Sequence, residues 1–157
     1  MPASLYQAKL ATPFSVLGIR TEGDWLTSID YLPPDVSSLV PQNALAKEAC
    51  RQLQGYLADP DYIFDLSLLI EGTPYQRRVW QSIQAIPSGE TTSYAKIALQ
   101  LHSSPRAVGR ACGANRIPIV IPCHRVIAKN GGLGGFMNAR DGHPLAIKRW
   151  LLHHEGA

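Results

Sequence analysis

Two dipeptides in the second half of the chain, Thr73-Pro74 and Ser104-Pro105, fix where helices must begin. A Thr or Ser side chain accepts a hydrogen bond from a free first-turn N–H, and proline suits the first helical position because the N–H it lacks would go unpaired there. Thr73 therefore opens the helix TPYQRRVWQSIQAI, with Tyr75, Val79, Trp80 and Ile83 on one face, and Pro87-Ser88-Gly89 ends it. A second helix starts near Thr92 or Ser93 and runs SYAKIALQL. After the short link His102-Ser103-Ser104 comes a third, PRAVGRACGAN, and two short helices joined so tightly make a helix-turn-helix candidate.

The first half has a different rhythm. Residues 5–32 alternate short apolar and polar stretches, with turns at Thr12-Pro13 and Glu22-Gly23-Asp24, which predicts two or three antiparallel strands. Pro33-Pro34 interrupts them. A helix follows over about Asn43–Leu57, with Leu45, Ala49, Leu53, Tyr56 and Leu57 on one stripe, and FDLSLLI could add a strand. The expected class is α+β: a small N-terminal antiparallel sheet with a helix over residues 1–71, then a mostly helical domain over residues 72–157.

Acidic residues outnumber basic ones up to residue 72, and the reverse holds beyond it. A basic half with a helix-turn-helix makes nucleic acid the leading partner. No apolar run approaches bilayer length, and MPASLYQAKLATP lacks a charged start and long apolar stretch, so no membrane association and a cytoplasmic location are expected. Cys50, Cys112 and Cys123 include no CxxC pair, which argues against a disulfide framework and a cysteine-rich metal site.

The run IPCHRVI at 121–127 sets a cysteine beside a histidine behind a proline. A thiol becomes a strong nucleophile as thiolate, and a neighbouring base is the usual means. In an extended segment Cys123 and His124 would point to opposite sides. RIPIVIP before them reads as β-like, and KNGGLGGF after them as a flexible wall rather than a phosphate loop, since it lacks the Lys-Ser/Thr ending. The third helix carries Arg106 and Arg110 with Gly109 and Gly113 on nearly the same face, and Ala107, Ala111 and Ala114 opposite. That is either a surface for close approach of another molecule or a tightly packed internal helix. The last helix, about Pro144–His154, puts Glu155 on the inward stripe of Ile147, awkward both near an apolar face and at a helix C-terminus. It is a fraying end, or it meets a partner such as His124 in a Cys-His-Glu triad.

Residues 72–156 resemble the O6-alkylguanine-DNA alkyltransferases, also called methylated-DNA–protein-cysteine methyltransferases. GTPYQRRVW, the SY at 93–94, RAVGRACGAN, PIVIPCHRVI and KRWLLHHEG carry the resemblance. Over residues 1–71 the match is general, and the family implies a ribonuclease H-like N-terminal domain there. The resemblance implies a monomer that binds duplex DNA with the third helix in the minor groove, flips an O6-alkylguanine (and O4-alkylthymine) into a pocket, and moves the alkyl group irreversibly to Cys123 with no cofactor and no metal. By the same resemblance Arg106 fills the gap left by the base, Tyr94 pushes on the target phosphate and hydrogen-bonds the base, and Asn115 links the helix to the active-site turn. His124 removes the thiol proton through a water and Glu155 orients it. Ser93, Gln76, Gly109, Arg110 and Lys129 are expected at the DNA, and Pro118, Val126, Phe136 and Met137 around the pocket. Phe136-Met137-Asn138 and the insertion ARDGHP depart from the family's Tyr-Ser or Tyr-Ala pair followed by glycines. Three rivals are a lesion-binding relative without the cysteine, which Cys123 opposes; a cysteine hydrolase, which gives the arginine-glycine helix no role; and a regulator that merely buries Cys123.

Overall fold

The computed structural model describes residues 5–128, 130–134 and 143–157. The chain divides into two compact units, Met1–Ile70 and Glu71–Ala157.

In the first unit β1 (Ala8–Ala11), β2 (Val16–Glu22) and β3 (Trp25–Leu32) form one antiparallel sheet in sequence order. The two-residue turn Gly23-Asp24 joins β2 to β3, and Gly23 takes φ +59°, the positive value that tight hairpin turns need. Helix α1 (Ala44–Ala58) packs across all three strands. Asn43 caps it rather than starting it, its Oδ1 accepting from Ala46 N at 2.8 Å. Ala46, Ala49, Leu53 and Tyr56 are buried against the sheet, while Leu45 and Leu57 are half-buried.

FDLSLLI does not become a strand. Leu26 N donates to Ser67 O and Leu69 N to Leu26 O, a single bridge. Earlier in the same run, the Gln52 side chain of α1 takes both backbone groups of Asp65, at 2.8 and 2.9 Å, and so removes them from any ladder.

In the second unit α2 (Pro74–Gln84) begins as expected and closes a capping box: Thr73 Oγ1 accepts from Gln76 N, and Gln76 Oε1 from Thr73 N. A two-residue strand β4 (Thr92–Ser93) leads into α3 (Tyr94–Gln100), and α4 (Pro105–Gly113) follows with Ser104 as its cap. Helix α4 packs on both α2 and α3. Trp80, 3% exposed, donates its indole N–H to Ala111 O at 2.8 Å and ties α2 to α4. Trp80→Phe should lose that bond and part of the ring, costing about 1–3 kcal/mol in urea unfolding; an unchanged midpoint would show that the bond contributes nothing.

The inward stripe of α4 is Val108, Ala111 and Cys112 rather than Ala107, Ala111 and Ala114; Ala107 and Ala114 are half-buried. A larger residue, Val108, is thus seated on the body, and the outer face around Gly109 is open, with no atom within 4 Å of an added Cβ.

RIPIVIP is not a strand either. Ile121 N closes a turn onto Ile117 O at 2.9 Å, and Ile119 sits at φ +74°, a strained value for a β-branched residue. Pro118 and Pro122 have no N–H to give a ladder. Cys123–Arg125 then form one 3-10 turn, β5 (Val126–Ile127) pairs in parallel with β4, and α5 (His143–His154) ends the unit. Among the described residues no helix is long and apolar enough to cross a membrane.

Candidate active site

The 3-10 turn resolves the geometry of the Cys-His pair. Its three residues per turn set neighbours about 120° apart rather than on opposite sides, so Cys123 and His124 face different partners. Pro122 O accepts from Arg125 N at 2.9 Å, and Cys123 N donates to Ile121 O at 2.8 Å. No hydrogen bond joins Cys123 directly to His124.

Cys123 is 4% exposed. Asn115 Nδ2 donates to its Sγ at 3.1 Å and to Ile121 O at 2.9 Å, while Asn115 Oδ1 accepts from Ile117 N at 2.9 Å. One amide therefore spans the strained 117–121 loop and ends on the sulfur. The neighbouring Cys112 thiol and then burial push the Cys123 thiol well above its ordinary range, with Asn115 and Lys148 pulling the other way. At rest the group is a thiol, and it would act as a nucleophile only on giving up its proton.

His124 is fully buried, and its Nε2 lies 2.7 Å from Glu155 Oε2. Burial lowers its proton affinity more than the Glu155 contact raises it, so the neutral ring is favoured. With Nε2–H donating to the carboxylate, Nδ1 carries the lone pair, and among the described residues nothing bonds to it. Glu155 is buried, not a fraying end: Arg125 Nε and Nη2 reach its two oxygens at 2.8 and 3.0 Å, and Nη1 reaches Ile86 O at 2.7 Å.

Sequence reasoning missed two residues here. Arg125 is one. Lys148 is the other: it points inward from α5 with no exposure and donates to Val126 O at 2.7 Å and Leu133 O at 2.5 Å. Burial brings its pKa down to about 8, against the pull of Cys112 and Cys123. Its Nζ is 3.4 Å from the Tyr94 hydroxyl and lies over the Tyr94 ring. Burial, then the two thiols, raise the Tyr94 phenol, so it stays protonated as a donor. Gly134, at φ +69°, presses on that ring: an added Cβ would lie 2.8 Å from Tyr94 Cε2. Trp150, two residues after Lys148, is half-buried and stacks on His154. An inward lysine leaves no trace in an apolar pattern, because lysine is read as a solvent residue.

Of the residues expected at DNA, Gln76, Arg106 and Arg110 come together along a groove of about 290 Å³ between the start of α2 and α4. Arg106 and Arg110 are exposed on α4, on the side of open Gly109. Ser93 caps α3, accepting from Lys96 N at 3.0 Å, and pairs with Ile127 through β4 and β5. Around the expected pocket, Val126 and Pro118 are buried. Lys129, Phe136 and Met137 lie outside the described residues. Among the described residues no group of three His, Cys, Asp or Glu side chains is placed to hold a metal.

A buried thiol held by the residue that closes a helix-turn-helix, with an imidazole–carboxylate pair starting at the next residue, fits a nucleic-acid-associated cysteine transferase. Comparison narrows this. Residues 74–157 match the family model described as 6-O-methylguanine DNA methyltransferase, DNA binding domain. The methylated-DNA–protein-cysteine methyltransferase of Methanosarcina acetivorans is 35% identical, the match covering 98% of this chain and 99% of that protein. The constitutive enzyme of that name from Bacillus subtilis is 38% identical over 96% and 94%. The crystal structure of Mycobacterium tuberculosis OGT in complex with DNA superposes with a TM-score of 0.78 at 36% identity, covering 94% of this chain and 91% of that one. The chain belongs to the methylated-DNA–protein-cysteine methyltransferase family.

Proposed function

We propose that the protein repairs DNA by direct reversal: it binds duplex DNA through α4, turns an O6-alkylguanine out of the stack, and takes the alkyl group onto Cys123. The observation that carries this is the Asn115 amide, whose side chain ties the end of the arginine-bearing helix to the Cys123 sulfur at 3.1 Å. A hydrolase would have no use for that coupling.

Arg106 and Arg110 engage the groove and its phosphates, and the open face at Gly109 allows close approach. Arg106 fills the space the base leaves. In the transfer, the Cys123 S–H proton passes through one water to His124 Nδ1 while sulfur bonds to the alkyl carbon. The carbon–O6 bond breaks, and its electron pair returns to the purine. Tyr94, a protonated phenol, donates to the base and offsets the charge that develops there. Glu155 holds His124 with Nε2–H outward from the thiol side. Ser93 and Gln76 support the binding helices as caps, Lys129 adds a basic contact, and Pro118, Val126, Phe136 and Met137 wall the pocket. O4-alkylthymine is a second substrate. A thioether is stable and no resolving thiol regenerates it, so each molecule acts once, as a monomer and without cofactor. Three free cysteines suit a reducing cytoplasm.

Incubation with duplex DNA carrying one O6-methylguanine should add one methyl group to the intact protein, mapped to Cys123, with no second turnover. Cys123→Ala should bind the same duplex and transfer nothing. A protein left unmodified, or methylated elsewhere, would refute the proposal.

A further inference from the structure

Arg125 follows the histidine directly, yet the transfer reading gives it no task. Its guanidinium side chain is 12% exposed, and all three of its nitrogens are used: Nη1 on Ile86 O, Nε on Glu155 Oε1 and Nη2 on Glu155 Oε2. Oε2 is also the oxygen that meets His124 Nε2. One carboxylate is thus shared between a permanent cation and a ring that can be either neutral or charged. We propose that Arg125 is a positioning residue which, by neutralising Glu155 through a two-bond fork, keeps His124 a neutral imidazole with Nδ1 free to receive the Cys123 proton.

A buried carboxylate needs a counter-charge. Were His124 to supply it by taking a proton, both ring nitrogens would become donors and the base would be lost. Arginine meets the demand at every relevant pH because its guanidinium does not deprotonate. Its fork fixes the carboxylate plane, and the bond to Ile86 O, just past the end of α2, anchors it from outside α5. The charged groups bearing on the imidazole are Glu155, Arg125 and Lys148. Glu155 favours the protonated ring; burial, Arg125 and Lys148 oppose it, and the outcome is a ring held neutral. Lys148 donates to the Val126 and Leu133 carbonyls and the Tyr94 hydroxyl, whereas Arg125 meets Glu155 directly through two bonds.

The inference rests on the alkyl-transfer reading for the fate of the thiol, but not for the state of His124. Single-turnover methyl transfer from an O6-methylguanine duplex should be followed across pH for the wild type, Arg125→Met and Arg125→Lys. The protonation of His124 should be read in parallel by nitrogen-15 NMR. In Arg125→Met the pH of half-maximal rate should rise by about one unit or more, with the NMR midpoint moving equally, and Arg125→Lys should shift less. Above the shifted limb the variant's rate should return toward the wild-type value. A rate reduced by one factor at every pH, or an unmoved NMR midpoint, would overturn the proposal. If the wild type fails to methylate Cys123, the transfer reading fails, while the NMR midpoints still decide the role of Arg125. Should Arg125→Met not fold, the wild type alone decides: at pH 7 the ring should be neutral with its proton on Nε2, and an imidazolium there would refute the claim.

Discussion

Glu155→Ala should cost about 3–5 kcal/mol of folding stability and remove most of the transfer rate at neutral pH. The side chain has no exposure, and His124 donates to it once and Arg125 twice. Alanine leaves the Arg125 guanidinium with only the Ile86 carbonyl among the bonds described for it. A buried charge without its partner is the expensive product of such a change, more so than the loss of the pair itself. The second consequence is chemical. Without the carboxylate the His124 ring is free to rotate and to carry its proton on Nδ1, the wrong tautomer for a base facing the thiol. Glu155→Gln keeps the shape but not the charge, so it should fall between wild type and alanine in both respects. Urea unfolding and single-turnover transfer measure the two effects. The double variant Glu155→Ala, Arg125→Ala should be less destabilised than the sum of its singles, because the stranded charge is gone. Additive losses would show that the two residues do not act as a pair.

The helices of the second unit were legible because local chemistry dictates them. Thr73, Ser93 and Ser104 each accept from the N–H three residues on, and Pro74 and Pro105 stand at first helical positions. Those bonds span one turn, so a sequence displays them. The hairpin at Gly23-Asp24 is legible for the same reason. Glu155 was half legible: its place on an inward stripe made it conspicuous, and His124 was a natural partner, but the stronger grip comes from Arg125.

What escaped the sequence are side chains that replace backbone pairing across distance. Gln52 captures the backbone of Asp65, and Asn115 captures Ile117 and Ile121, so two β-like runs become something else. β-propensity describes how side chains suit a pleated surface; it is silent on whether a distant amide has already taken the ladder's hydrogen bonds. Lys148 escaped for a related reason, since the acceptors Val126 O, Leu133 O and the Tyr94 hydroxyl lie 15 to 54 residues away.

Asn115→Ala, the second large effect expected, acts on the loop and the nucleophile together. It strips the Ile117 N–H and the Ile121 carbonyl of the bonds that Asn115 makes to them, each loss worth about 1–3 kcal/mol when buried. It also unclamps Ile119, whose positive φ is a conformation that costs about 1–3 kcal/mol and persists only where its surroundings enforce it. Relaxation of that strain returns part of the loss, so a net destabilisation of about 2–4 kcal/mol is expected in urea unfolding. The rate should suffer separately. The Nδ2 donor favours the thiolate over the thiol, and a hydrogen bond to a charged group contributes about 1.5–3 kcal/mol, or about ten- to a hundredfold in rate. Asn115→Asp distinguishes the two effects. Its carboxylate can still accept from Ile117 N but sets a negative charge beside the sulfur, where it opposes ionisation. The rates should therefore order wild type above alanine above aspartate, with the pH needed for thiol modification by a small alkylating reagent rising in the same order. Equal rates for alanine and aspartate would mean that Asn115 serves the loop alone, and that the sulfur contact does nothing for transfer.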